Sequence, residues 1–200
     1  MQRVKPVLLD LLMATMDSPS AWSAAAGDRA AGLAWRDAVT DRMIDAGDYV
    51  SYEQLVESTA RKLRLPPEAP SKLREAWQQM EPWPDAVAVG SLDVPYAFVT
   101  NCSTELAAIA VERSGLRPAF VLSAEDAGCY KPRPEIYRLA CDRIASEPLE
   151  TLFVAGAAYD ARGAAAAGLR TVLVARRSAL ESMPPGVRVV MSLDDAFATL

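Results

Sequence analysis

The sequence has no histidine in its 200 residues. A Ser-His-Asp triad, a Cys-His pair and any histidine-ligated zinc site are therefore excluded, and acid-base work falls to carboxylates, lysine or tyrosine. Cysteine is scarce as well. Cys102, Cys129 and Cys141 form an odd set without CxxC spacing, which suits free thiols in a reducing compartment, by default the cytoplasm, better than a disulfide framework. Basic clusters are missing: the formal net charge is -5 and no five like charges run together, which argues against a nucleic-acid partner. No segment approaches the roughly 18 apolar residues of a membrane span. Arg3 and Lys5 precede an apolar run in the outline of a secretion signal, but Pro6 and Asp10 interrupt that run.

What is present suffices for a core. A hydrophobic fraction of 51% in 200 residues fits one medium domain or a core domain carrying a small insertion. Residues 4–12 read as a buried parallel strand, a short aliphatic run with Asp10 near its C-terminal end. Helical patterns follow at 33–46, at 51–65 with a Ser51/Gln54 capping box, and at 71–80, punctuated by Pro66-Pro67, Pro70 and Pro82 to Pro84. Beyond residue 84 strands at 96–100, 119–122, 151–155, 171–175 and 187–191 alternate with helices at 104–114, 134–145 and 160–167, Gly115 and Gly168 closing two of them. Ser192 with Asp195 opens a last short helix. The expected architecture is α/β: a doubly wound parallel sheet, formed by 1–16 and 85–200, with a small all-helical cap at 17–84 inserted after the first strand. The Ala/Gly-rich stretch at 155–168 lacks GxGxxG order and reads as close helix-sheet packing rather than a phosphate loop. Trp22, Trp35, Trp77 and Trp83 all lie in or beside the insertion, where filling the cap core is their expected role.

Asp10, Thr100-Asn101, Lys131-Pro132 and Asp160 stand at the ends of separate segments. Two carboxylates and a lysine delivered in this way suggest a nucleophile, its electrostatic partner and a group that handles water. Together with Leu9-Asp10 through Asp17-Ser18, Leu33-Ala34-Trp35-Arg36, Phe98-Val99-Thr100-Asn101, Tyr130-Lys131-Pro132 with Tyr137, and Phe153 through Asp160 followed by Arg162-Gly163-Ala164, they resemble the haloacid dehalogenase (HAD) superfamily. Within it the type II 2-haloacid dehalogenases are the nearest likeness, over essentially the whole chain. The resemblance implies a HAD Rossmann-like core with a cap domain, no cofactor, no metal, and a small 2-substituted carboxylic acid as substrate, with a homodimer compatible.

It also implies roles. Asp10 would attack the α-carbon and form an ester that water then hydrolyses. Arg36 would meet the leaving anion from the cap, and Thr100 and Asn101 would bind the substrate carboxylate. Lys131 would keep Asp10 ionised, while Asp160 would orient the water and Tyr137 would add a hydroxyl donor in the cleft. Structural alternatives stay open: a solvated helix residue for Arg36, a helix entry for Thr100 and Asn101, a surface lysine for Lys131, and a helix N-terminus for Asp160.

Three positions depart from the family pattern. Ala14 replaces an expected Thr, with Thr15 one residue away, and Ala155 and Ala157 replace two polar residues of the fourth motif. Each lost donor is worth about 10²-fold in rate. The phosphatase branch requires a carboxylate where Leu12 stands and another where Ala157 stands, so a Mg²⁺ site is poorly furnished. A haloacid is the expected substrate. Ring opening of a strained amino acid such as azetidine-2-carboxylate, or a catalytically silent carboxylate-binding protein, are the alternatives.

Overall fold

The computed structural model describes residues 5–176 and 182–198, so Val4, expected to open the first strand, lies outside them. The chain runs β1 (Val7–Asp10), α1 (Ser18–Ala26), α2 (Arg29–Asp45), α3 (Tyr52–Lys62), α4 (Ala69–Trp77), α5 (Val87–Gly90), β2 (Tyr96–Thr100), α6 (Thr104–Ser114), β3 (Val121–Ser123) and α7 (Ala124–Ala127). It continues through α8 (Pro134–Arg143), β4 (Leu152–Ala155), α9 (Ala158–Ala166), β5 (Arg170–Val174), β6 (Arg188–Val190) and α10 (Leu193–Phe197). The six strands pair in parallel in the order β3-β2-β1-β4-β5-β6. This is the doubly wound sheet expected from the strand and helix alternation.

Period-two alternation divides the strand residues between two cores. Val7, Leu9, Phe98, Val154 and Val172 join the cap and α6 on one face. Leu8, Val99, Phe153, Ala155 and Leu173 join α8 and α9 on the other. Both β1 and β4 are buried along their whole length, which explains why they read as continuous apolar runs. The winding direction reverses between β1 and β4, and in such sheets the crevice at the strands' carboxyl ends is the natural ligand site.

The chain leaves the sheet after β1 for a four-helix insertion and returns alongside its exit. Asp17 N donates to Glu81 O at 2.9 Å, Trp83 N donates to Thr15 O at 2.9 Å, and Met16 bridges Pro82 in antiparallel fashion. Trp35 and Trp77 are fully buried and donate their indole N–H to Val56 O (3.1 Å) and Leu106 O (2.9 Å). Trp22 meets Trp35 edge-on, with ring centroids 4.8 Å apart.

Helix α1 has no counterpart among the helical patterns of the sequence, because its Ser-Pro-Ser-Ala-Trp-Ser-Ala-Ala-Ala stretch offers little polar-apolar contrast. Its own punctuation specifies it: Asp17 caps Ser20 N, Pro19 sits in the first turn, and Gly27 ends it in the left-handed region at φ 73°. Helix α2 begins at Arg29, four residues before the expected start, because Asp28 caps it at Ala31 N (2.8 Å). Gly32 belongs to that helix because a Cβ there would lie 2.5 Å from Trp22 O, so only glycine lets α1 pack this closely on α2.

Candidate active site

Asp10 ends β1 and caps the wide turn that follows. Residues Leu11–Thr15 form one π-helical turn, closed by Met16 N donating to Leu11 O at 3.0 Å. Asp10 Oδ2 accepts from Met13 N at 2.8 Å and Ala14 N at 3.1 Å. Single π turns often mark functional positions, and this one turns two backbone donors onto one carboxylate oxygen. The backbone N–H of Ala14 reaches Asp10, but its methyl side chain adds no hydroxyl donor there. Thr15 is no substitute, since its Oγ1 donates to the backbone carbonyl of Asp10 at 3.1 Å.

The end of β4 passes so close to this turn that a Cβ on Gly156 would fall 2.2 Å from Ala14 N. Only a glycine fits there, and this fixes the distance between the β1 and β4 ends. Ala157 follows as the N-cap of α9 and supplies no side-chain cap bond.

Lys131 lies between the two carboxylates and is fully buried. Its Nζ donates to Asp10 Oδ1 at 2.8 Å, Asp160 Oδ2 at 2.7 Å and Val99 O at 2.9 Å. An ammonium has three protons, and all three are used. Burial works against the charged form, but Asp10 and Asp160 outweigh it and raise Lys131 above its ordinary value. Asp160, also fully buried, is pushed up to about 6 by burial, with Lys131 opposing and Asp10 adding to the rise.

The substrate-binding candidates are placed less uniformly. Asn101 lines the cleft, but its amide serves the chain: Oδ1 accepts from Lys131 N at 2.8 Å, and Nδ2 donates to Lys131 O at 3.0 Å. Thr100 is fully buried, with its Oγ1 3.5 Å from Cys102 Sγ and away from the cleft lining. Tyr137, expected in the cleft, is instead buried behind Asp160 and donates to Asp160 Oδ1 at 2.7 Å. Its ring lies edge-on to Phe153 in the core, and that packing turns the hydroxyl inward. Arg36 reaches the cleft from α2. It pairs with Asp37, and its Nη1 lies 3.4 Å from Met13 Sδ.

The cleft between sheet and cap has a volume of about 470 Å³ and is lined by Asp10, Arg36, Asn101, Tyr159 and Arg176 among others. Sequence reasoning assigned no role to two of these. Arg176 follows β5 and is held by Asp85 through two bonds of 2.7 and 2.8 Å and by Ala14 O at 2.6 Å. Nothing in the local sequence of Arg176 signalled this, because Asp85 is 91 residues away. Tyr159 stood beside Asp160 in the fourth motif and was the more visible of the two. Among the described residues no group of three or more cysteine, aspartate or glutamate side chains is arranged to hold a metal ion. No helix among them is long and apolar enough to cross a membrane.

Residues 24–168 match the family model for haloacid dehalogenase-like hydrolases. Over 112 residues the chain is 32% identical to (S)-2-haloacid dehalogenase 1 of Pseudomonas sp. (strain CBS-3), covering 53% of this chain and 49% of that protein. It is 34% identical to (S)-2-haloacid dehalogenase 4A of Burkholderia cepacia, again over 112 residues, covering 53% and 48%. In these matches the chain spans about half the length of its curated relatives. A solved structure of a dehalogenase with an intermediate complex superposes with a TM-score of 0.85 at 25% identity, covering 98% of this chain and 96% of that one. With the sheet order, the strand-end carboxylates and a family match over residues 24–168, the chain belongs to the haloacid dehalogenase-like hydrolases.

Proposed function

We propose that this protein hydrolyses the carbon-halogen bond of a small (S)-2-haloacid without a metal, Asp10 acting as nucleophile. The arrangement of Asp10, Lys131 and Asp160, linked by bonds of 2.8 and 2.7 Å at the floor of the cleft, carries this reading. Lys131 holds one Asp10 oxygen and two backbone N–H groups hold the other, so the carboxylate cannot rotate away from an incoming α-carbon. Attack forms the Asp10 ester and releases halide. Water then adds at the ester carbonyl carbon, and the C–O bond between that carbon and the alcohol oxygen breaks. The products are the 2-hydroxy acid, the regenerated Asp10 carboxylate and one proton. Whichever Asp10 oxygen becomes the carbonyl, its developing negative charge falls on donors already in place.

Asp160 in its ionised form is the base we assign to that water, its carboxylate oriented by Tyr137 and Lys131. Arg36 meets the departing halide from the cap. Its pairing with the exposed Asp37 is weak, as surface pairs are, and yields readily to an anion in the cleft. The three cysteines are free and buried, which supports a cytoplasmic setting.

The test is halide release from L- and D-2-chloropropionate in the presence of EDTA, comparing wild type with Asp10→Asn. The expected result is release from the L enantiomer alone, abolished by the substitution, with a wild-type mass gain under rapid quench equal to the substrate less HCl, as the Asp10 ester requires. Halide release that survives Asp10→Asn, or none from either enantiomer, refutes the reading.

A further inference from the structure

A 2-substituted carboxylate approaching Asp10 brings a second negative charge to the floor of the cleft and needs a donor there. The donors nearest Asp10 are committed. Lys131 spends all three protons on Asp10, Asp160 and Val99 O, Thr100 is buried against Cys102, and the Asn101 amide is engaged with the Lys131 backbone. Tyr159 is different. It projects from the first turn of α9 into the cleft lining, beside Asp10 and Asn101. Its hydroxyl oxygen accepts from Asn101 Nδ2 at 3.4 Å, and its own proton has no acceptor among the described residues.

We infer that Tyr159 anchors the substrate: its phenol O–H donates to the carboxylate of the 2-substituted acid and takes the place of the Thr100 hydroxyl, which is turned away. This rests on the dehalogenase reading for the identity of the acid. A phenol suits the task because it can donate without adding charge next to the Lys131 ion cluster. Burial raises Tyr159 above its ordinary value, with Lys131 opposing and the carboxylates of Asp160 and Asp10 reinforcing, so the proton stays on the oxygen throughout the neutral range. The placement also gives Ala157 a rationale: with a small side chain at that cleft position, the donor comes from the ring two residues further on.

The experiment is calorimetric titration of propionate, an unreactive carboxylate, into wild type, Tyr159→Phe and Thr100→Val, alongside the kinetics of L-2-chloropropionate turnover. A hydrogen bond to a charged group corresponds to about 10- to 100-fold in affinity. Tyr159→Phe is expected to weaken propionate by that factor and to raise KM in parallel with little change in kcat, the pattern of a lost ground-state contact. Merely structural damage lowers kcat as well. Unchanged propionate affinity in Tyr159→Phe, no propionate binding by wild type, or a loss carried by Thr100→Val alone overturns the inference. Tyr159-dependent propionate binding without any halide release leaves the anchor standing and refutes the dehalogenase reading instead.

Discussion

Replacing Lys131 by methionine keeps most of the stem and removes the ammonium, whose nitrogen lies 5.7 Å from the Phe153 ring centroid. Three bonds of 2.7 to 2.9 Å are lost, and two buried carboxylates remain without a counter-charge. Breaking a buried ion pair from one side costs about 3–5 kcal/mol, mostly because the remaining charge is stranded. For a chain of this size each kcal/mol corresponds to about 2–4 °C, so Lys131→Met should melt about 6–20 °C below wild type at pH 8. The deficit should depend on pH. Asp160 already takes up a proton near pH 6, and without Lys131 its value rises further. The folded variant then binds a proton more tightly than the unfolded chain does, so its stability falls as pH rises and recovers as pH drops. Thermal scans at pH 5 and pH 8, with urea titrations as a second probe, measure both effects. A Lys131→Met protein as stable as wild type at pH 8, or a deficit of equal size at both pH values, refutes the account. An Asp10→Asn/Lys131→Met/Asp160→Asn combination, which removes the charges together, should regain much of the loss.

Two further outcomes follow from the same geometry. Asp160 is raised in the folded protein from 3.8 to about 6, so its contribution to stability is fully present below pH 3.8 and is lost as pH rises through about 6. Urea midpoints from pH 4 to 8 should show that decline in wild type and not in Asp160→Asn, and a common slope in the two proteins contradicts the assignment. Gly156→Ala places a Cβ 2.2 Å from Ala14 N, and because the obstruction is backbone, the Asp10 turn must shift. We expect a stability loss of about 1–3 kcal/mol, typical of overpacking, together with slower halide release. Unchanged kinetics in a folded Gly156→Ala protein contradict the close approach.

Much of this architecture was legible one segment at a time. The aliphatic run ending in Asp10 is a strand buried on both faces, and Ser51, Gly115, Gly168 and Ser192 mark element ends through caps and turns that need only neighbouring residues. The strand expected at 119–122 appears as Val121–Ser123. Helix α1 is not legible in the sequence because hydrophobic periodicity is a poor guide in an alanine-rich stretch, where packing against α2 and α4 rather than amphipathic contrast holds the helix in place.

What the sequence alone determined is the chemistry available and the end of the fold at which it gathers. With no histidine, the charged work falls to carboxylates and lysine, and the apolar run that ends in Asp10 places the first of them at the carboxyl edge of a parallel sheet. Which atoms meet there was decided only by the tertiary structure. Lys131 lies 121 residues from Asp10, and it reaches both carboxylates because β2, β1 and β4 are neighbours in the sheet. The direction of each hydroxyl depends on core packing that no local pattern encodes. Thr100 is turned to Cys102, Tyr137 is set behind Asp160, and Tyr159 is left facing the cleft, each by neighbours distant in sequence or across the strand end.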